Sequence, residues 1–101
     1  MRVIVMFDLP MITRGDVKNY TKFRKYLIKS GFVPMQKSIY TKLALNATAA
    51  EFVMKKVRAN KPPEGLVQML VVTEKQFSKI EYVCGTGRND IINSDERLIV
   101  L

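Results

Sequence analysis

The chain has 101 residues, 48% of them hydrophobic, which is enough for one domain with a modest core and argues against disorder. One cysteine and no histidine exclude an internal disulfide and histidine-dependent nucleophilic catalysis, and they remove the commonest zinc ligand. Any hydrolysis must therefore rest on carboxylates and a metal such as Mg²⁺. No apolar run approaches the roughly 20 residues that span a bilayer, and no signal peptide is recognisable, so we expect a cytoplasmic protein.

The net charge of +8 is concentrated in the first part of the chain. Residues 1–61 hold 13 Lys/Arg and 3 Asp/Glu, a net +10, whereas residues 62–101 hold 4 and 6, a net −2. Such asymmetry indicates a polyanionic partner, either nucleic acid or an anionic membrane surface, although basic proteins also gain solubility in this way.

The first predicted element is a strand that ends at an acid. Five consecutive apolar residues, Val3 to Phe7, are typical of a strand that is covered on both faces and central in its sheet. Asp8 follows at the carboxyl end of this strand, and Pro10 stops the ladder from continuing. Asp8 is therefore a candidate ligand for Mg²⁺ and a candidate catalytic residue. The alternative is that its side chain caps a turn.

The next element is a helix over residues 16–30 with two contrasting faces. Its apolar positions follow helical spacing: Val17, Tyr20, Phe23 and Leu27. Basic positions repeat on the opposite side: Lys18, Lys22, Lys25 and Lys29, with Arg14 one turn earlier. Because no acid interrupts this row, we favour nucleic acid as its partner over a plain solvated face, and we expect no membrane partner. Arg24 falls near the apolar side and is expected to need a carboxylate or phosphate partner.

Shorter elements follow. Gly31 is expected to end the helix in a left-handed cap, and residues 32–35 and 38–43 predict a strand pair with an edge or bulge at Pro34. Residues 48–51 have the spacing of a capping box. The second helix then has one apolar face: Ala50, Val53, Met54 and Val57.

The last part of the chain is predicted as strand-rich. Residues 66–72 form an apolar strand, residues 73–77 one helical turn, and residues 80–83 a further short strand. Residues 85–89 form a flexible loop, and a final apolar strand occupies the end of the chain: Arg97, Leu98, Ile99, Val100 and Leu101.

The element order predicts a ferredoxin-like α+β fold, βαββαβ, with an additional C-terminal strand. We expect a ferredoxin-like domain over residues 1–84 and, over residues 85–101, a flexible segment with a strand that packs on a dimer partner. Two helices cover only one sheet face, so the other apolar face is expected to pack against a second copy in a two-fold homodimer.

Several segments together resemble the CRISPR-associated protein two family, the small subunit of the spacer-acquisition complex. They are residues 3–8, 22–27, 31–32, 36–40 and 93–97, and the closing segment resembles the type II branch. The resemblance implies a ferredoxin-like homodimer whose first-strand aspartates, here Asp8, meet across the dimer as a possible Mg²⁺-dependent nuclease site for RNA or DNA. It also implies bridging of dimers of the integrase, CRISPR-associated protein one, and binding of the prespacer duplex. Many members have tyrosine before the aspartate, where this chain has Phe7.

Three functional hypotheses follow. The first is a structural subunit of the spacer integrase that binds double-stranded prespacer DNA, and the second is a Mg²⁺-dependent endonuclease at Asp8. The third is a regulatory or RNA-binding module outside CRISPR biology. The candidate nucleic-acid-binding residues are Arg14, Lys18, Lys22, Arg24, Lys25, Lys29, Lys37 and Lys42, and the candidate partner-binding residues are those of the final strand, 97–101.

Overall fold

The fold is seen in a computed structural model, which describes residues 1–85. The elements are β1 (Arg2–Asp8), α1 (Arg14–Lys29), β2 (Val33–Gln36), β3 (Ile39–Leu43), α2 (Ala47–Ala59), β4 (Leu66–Val72) and α3 (Glu74–Phe77). The four strands form one antiparallel sheet in the order β2-β3-β1-β4. This confirms the predicted ferredoxin-like βαββαβ arrangement.

Strand β1 is central, as its apolar run predicts. It pairs with β3 on one side, where Arg2 lies opposite Leu43, and with β4 on the other, where Asp8 lies opposite Leu66. Side chains alternate between the two faces of a strand. Within residues 1–85, the two long helices cover one face of the sheet and leave much of the other exposed.

The buried core lies between the sheet and the two long helices. It comprises Val3, Val5, Phe7, Leu9, Phe23, Leu27, Phe32, Tyr40, Ala44, Ala50 and Val57. The opposite face of the sheet, here called the open face, is also largely apolar: Ile4, Met6, Ile39, Leu43, Leu66, Leu70 and Val72. Leu43, Leu66 and Leu70 are each at least half exposed.

Helix α1 begins two residues earlier than predicted because a capping box fixes its start. The Thr13 hydroxyl accepts a hydrogen bond from the Asp16 N–H, and the Asp16 carboxylate accepts one from the Thr13 N–H, each at 3.0 Å. Gly31 has a φ of 95° and ends the helix as predicted, while the Phe32 N–H donates to the Leu27 carbonyl in a Schellman arrangement.

Strand β2 lies at the edge of the sheet, and its pairing with β3 shifts register between Pro34 and Gln36. Proline cannot donate to a ladder, so it is tolerated at an edge and next to a bulge. The prediction of an edge or bulge at Pro34 is confirmed.

The predicted start of α2 was wrong. Asn46 is the N-cap, and its side chain accepts from the Ala49 N–H at 2.8 Å, so Thr48 lies inside the first turn. Asparagine is as good an N-cap as threonine, because its side-chain oxygen can accept hydrogen bonds from the same backbone N–H groups. The predicted apolar face of α2 is confirmed, since its members are buried or half-buried against the core.

The helical turn at residues 73–77 is confirmed as α3, but the predicted strand at residues 80–83 is wrong. Residues 80–83 have no ladder partner within the described part of the chain. The predicted strand at residues 97–101 and most of the predicted loop at 85–89 lie outside the described residues. Among residues 1–85, no helix has the length and apolar character of a membrane span.

Candidate nucleic-acid interface and acidic site

Asp8 is exposed at the carboxyl end of the central strand. Since Phe7 is buried under the helices, the alternation of β1 puts Asp8 on the open face, together with Ile4 and Met6. The carboxylate therefore lies at one end of an apolar surface and in contact with solvent, where a cation or a phosphate group can approach it.

The position of Asp8 is fixed by close packing of the neighbouring strand. Gly65, just before β4, has a φ of 100°, and a Cβ there would lie 2.9 Å from the Asp8 carbonyl oxygen and 2.6 Å from Leu9 Cδ2. A glycine is required at this point because both the backbone conformation and the available space exclude a side chain. The end of β1 is therefore held firmly against the start of β4.

Two further polar residues lie at the same end of the sheet. The Phe7 N–H donates to the Ser38 carbonyl at 3.0 Å, which brings the β2–β3 turn, with the exposed Lys37, to the end where Asp8 lies. Gln68 pairs with Met6 and so lies on the open face diagonal to Asp8, at a distance typical of about 7–8 Å between Cα atoms. Sequence reasoning did not assign Gln68 a role, although it is the one polar residue within an apolar strand.

Asp8 fits Mg²⁺ only as part of a shared site. Mg²⁺ is commonly held by one or two carboxylates, with waters and substrate phosphates completing the shell. Within residues 1–85, no group of three or more His, Cys, Asp or Glu side chains is placed to hold a metal ion. The described residues thus offer Asp8 as a single carboxylate ligand at this site, to which a phosphate, waters or further carboxylates would have to be added.

Helix α1 presents a row of exposed cations, here called the basic row: Arg14, Lys18, Lys22, Lys25 and Lys29. At 3.6 residues per turn these side chains fall within an arc of about 80°, and the row is about 22 Å long. The helix contains one acid, Asp16, whose carboxylate is engaged in the N-terminal capping box. In the described part of the chain, the two salt bridges involve other cations, Arg2 and Arg58.

Two predicted nucleic-acid-binding residues lie in different surroundings from those expected. Arg24 lies almost two full turns after Val17, so it falls beside the apolar face as predicted, but its side chain is exposed and not on a buried side. Lys42 lies on the helix side of β3, and its ammonium donates to the Ser30 carbonyl at the end of α1. This contact gives a hydrogen-bond donor to a carbonyl that the helix itself leaves unpaired, so Lys42 stabilises the end of α1.

Phe7, next to Asp8 in sequence, belongs to the core. Its ring contacts Phe23 edge-on at 5.2 Å between centroids and stacks on Tyr40 at 5.7 Å. Tyr20 completes the group at 6.0 Å. These aromatic contacts join β1, α1 and β3 on the side of the sheet away from Asp8.

At the opposite end of β1, Arg2 fastens α3 to the sheet. Its guanidinium makes two hydrogen bonds to the Glu74 carboxylate, one of them at 2.8 Å from Nε, and lies 4.3 Å from the centroid of the Phe77 ring. The hydrogen bonds from Arg2 lower the pKa of the Glu74 carboxyl below its ordinary value of 4.5. Arg2 is thus occupied within the domain and is not part of the basic row.

The element order and strand order define a ferredoxin-like α+β domain with one open sheet face. Within that class, residues 1–80 match the sequence profile of the family described as CRISPR associated protein Cas2. The chain belongs to this family.

Curated relatives match the chain over almost its whole length. A protein of Treponema denticola is 56% identical over 101 residues, covering 100% of both chains. A Streptococcus mutans protein is 44% identical, covering 100% of this chain and 93% of its own, and a Ligilactobacillus salivarius protein is 41% identical over 100% of both. Each of these relatives is named a CRISPR-associated endoribonuclease Cas2.

Proposed function

We propose that this protein is a structural, DNA-binding subunit of CRISPR spacer acquisition, which joins dimers of the CRISPR-associated protein one integrase and helps hold the prespacer duplex. The main support is the basic row of α1, which is exposed and free of intervening carboxylates. Membership of the CRISPR associated protein Cas2 family supports the biological setting.

The basic row suits sequence-independent binding of a duplex. Lysine ammonium groups on a helix surface contact phosphates without reading base edges, and counterion release from the DNA supplies the free energy. A row about 22 Å long covers about two thirds of a duplex turn, given a turn of about 34 Å. We assign the row, and with it the exposed Arg24 and Lys37, to the sugar–phosphate backbone.

A homodimer formed through the open faces is part of the same proposal. Leu43, Leu66 and Leu70 are large apolar side chains that are at least half exposed on a surface with few charges. Packing this surface on a second copy would remove it from water and leave both helix layers outside. Because Asp8 lies on the open face, a two-fold axis near it would bring two Asp8 carboxylates towards each other.

The alternative is a Mg²⁺-dependent endonuclease that cuts RNA or DNA at the Asp8 pair. The exposed position of Asp8 at the end of the central strand favours it, and the curated relatives are named endoribonucleases. In this alternative Asp8 holds the ion with its counterpart, and Lys37 at the same end of the sheet binds a neighbouring phosphate. A bound Mg²⁺ would polarise the scissile phosphate and activate a water molecule.

An integration assay with an Asp8→Asn variant separates the two functions. We expect integration of a labelled duplex by the partner integrase to persist with Asp8→Asn, because the basic row is unchanged. Any Mg²⁺-dependent cleavage of RNA or DNA should be lost, since the amide is a much poorer magnesium ligand. Glu64→Gln, an exposed carboxylate in the loop before β4, is the matched control and should change neither activity. Loss of integration by a folded, dimeric Asp8→Asn protein would contradict the structural role.

A further inference from the structure

A small cleft lies between the middle of α1 and the end of α2 with the segment that follows it. It has a volume of about 170 Å³ and is lined by Asn19, Lys22 and Phe23 on one side and by residues 59–63 on the other. At about 30 Å³ per water molecule, it has room for a phosphate group and a few waters, and it is below the size of typical pockets for drug-sized ligands. The cleft is therefore suited to a small anionic group.

The polar lining of the cleft favours an anion. Two lysines, Lys22 and Lys61, and two asparagines, Asn19 and Asn60, are among the lining residues, and none of these residues carries a carboxylate. The Asn60 side chain donates one hydrogen to the Lys56 carbonyl at 2.8 Å, which fixes the amide and leaves its second N–H available.

The C-terminal end of α2 is the one feature that opposes an anion, because the helix dipole places partial negative charge there. Three of its last four carbonyls are already engaged: the Asn60 N–H donates to Lys56 and Val57, and the Lys61 N–H to Arg58. Two ammonium groups outweigh the remaining half charge of a capped helix end.

The walls of the cleft are stiff. Phe23 is part of the buried core, and Lys61 precedes Pro62 and Pro63, which restrict the backbone conformations open to it. Lys61 is thus held beside α1 without a salt bridge to any described residue. The sequence analysis did not assign Lys61 to the nucleic-acid-binding residues, because Lys61 is distant from α1 in sequence. The two prolines that follow it were the only local sign that its position is fixed.

The cleft is continuous with the basic row, since Lys22 belongs to both. We propose that Lys22 and Lys61 together hold one phosphate of the DNA backbone, so that a duplex lying on α1 is also held by the loop between α2 and β4. This inference rests on the proposed DNA-binding function and adds a specific contact point to it.

Salt-dependent binding of a short mixed-sequence DNA duplex tests the shared phosphate. The logarithm of the binding constant should fall linearly with the logarithm of the salt concentration, with about 0.9 of slope per phosphate contacted. We expect Lys61→Gln to reduce the slope, and the Lys22→Gln/Lys61→Gln pair to reduce it by about 0.9 in total. Lys79→Gln, an exposed lysine beyond α3 at the other end of the sheet, is the control and should leave the slope unchanged.

Two results would overturn the inference. An effect of Lys61→Gln no larger than that of Lys79→Gln would place Lys61 outside the interface. A reduction of about 1.8 for the pair would mean two separate phosphates. Binding by the wild type without any salt dependence would instead refute the proposed DNA-binding function itself. Thermal melting of each variant checks that the fold is intact, and all the substituted lysines are exposed.

Discussion

Neutralising part of the basic row should change the salt dependence of duplex binding by a calculable amount. If the row's members Arg14, Lys18, Lys22, Lys25 and Lys29 each neutralise one phosphate, the slope of log K against log[salt] is about −4.5 per bound chain. Between about 50 and 200 mM salt, the wild type would then lose about 500-fold in affinity.

The Lys18→Gln/Lys25→Gln variant removes two of these contacts without introducing negative charge. Its slope should fall to about −2.7, so that the same change in salt weakens binding by only about 40-fold. The loss should be alike for all duplex sequences, because phosphate contacts do not read bases. Both side chains are exposed, so the stability of the protein should change little.

Fluorescence anisotropy with labelled duplexes of two unrelated sequences, at a series of salt concentrations, measures these slopes. The control is Lys75→Gln/Lys79→Gln, which changes the net charge by the same amount at two exposed lysines in and after α3. Equal slopes for both double variants would show that affinity follows net charge alone, and an unchanged slope in the first would show that the row faces solvent. Either result refutes a specific interface on α1.

Two further predictions concern the scaffold. Gly65→Ala should lower the free energy of unfolding by about 3 kcal/mol, because it strains a backbone with a φ of 100° and places a Cβ 2.6 Å from Leu9 Cδ2. Urea denaturation measures this, with Gly15→Ala as a control whose Cβ meets no atom closer than 3.7 Å; a neutral Gly65→Ala would disprove the close packing. Glu74→Gln should lower the stability of the protein at neutral pH but not in acid. Because Arg2 lowers the pKa of the Glu74 carboxyl, the Arg2–Glu74 pair stabilises the fold above pH 4.5, and this stabilisation is lost as the carboxyl takes up a proton. Thermal melting of both proteins across this pH range tests it, and a difference independent of pH would contradict it.

Much of the fold could be predicted because local patterns and tertiary contacts agree. The run Val3 to Phe7 predicted a central strand, and Gly31 predicted the end of α1, where only a residue tolerant of positive φ fits. The start of α2 was missed because Asn46 and Thr48 both suit a helix cap, and only the path of the chain after β3 selects between them. Residues 80–83 have strand-like composition, yet a strand also needs a partner, which sequence alone does not supply.

The candidate site was only partly predictable. The position of Asp8 at the end of a strand followed from the pattern of one segment, and the structure places it there. The cleft between Lys22 and Lys61 could not be found in this way, because it depends on how α2 packs beside α1. Lys42 was grouped with the surface cations on charge alone, whereas its ammonium is held by the Ser30 carbonyl.

The alternation of β1 affects how sequence differences at Phe7 and Asp8 should be interpreted in this family. Although they are neighbours in the chain, their side chains are separated by the full thickness of the sheet. A tyrosine in place of Phe7 would place its ring on the side of the sheet with Phe23 and Tyr40, away from the acid. The identity of residue 7 therefore reports on how a member packs its interior, and it is a poor indicator of whether that member cleaves nucleic acid.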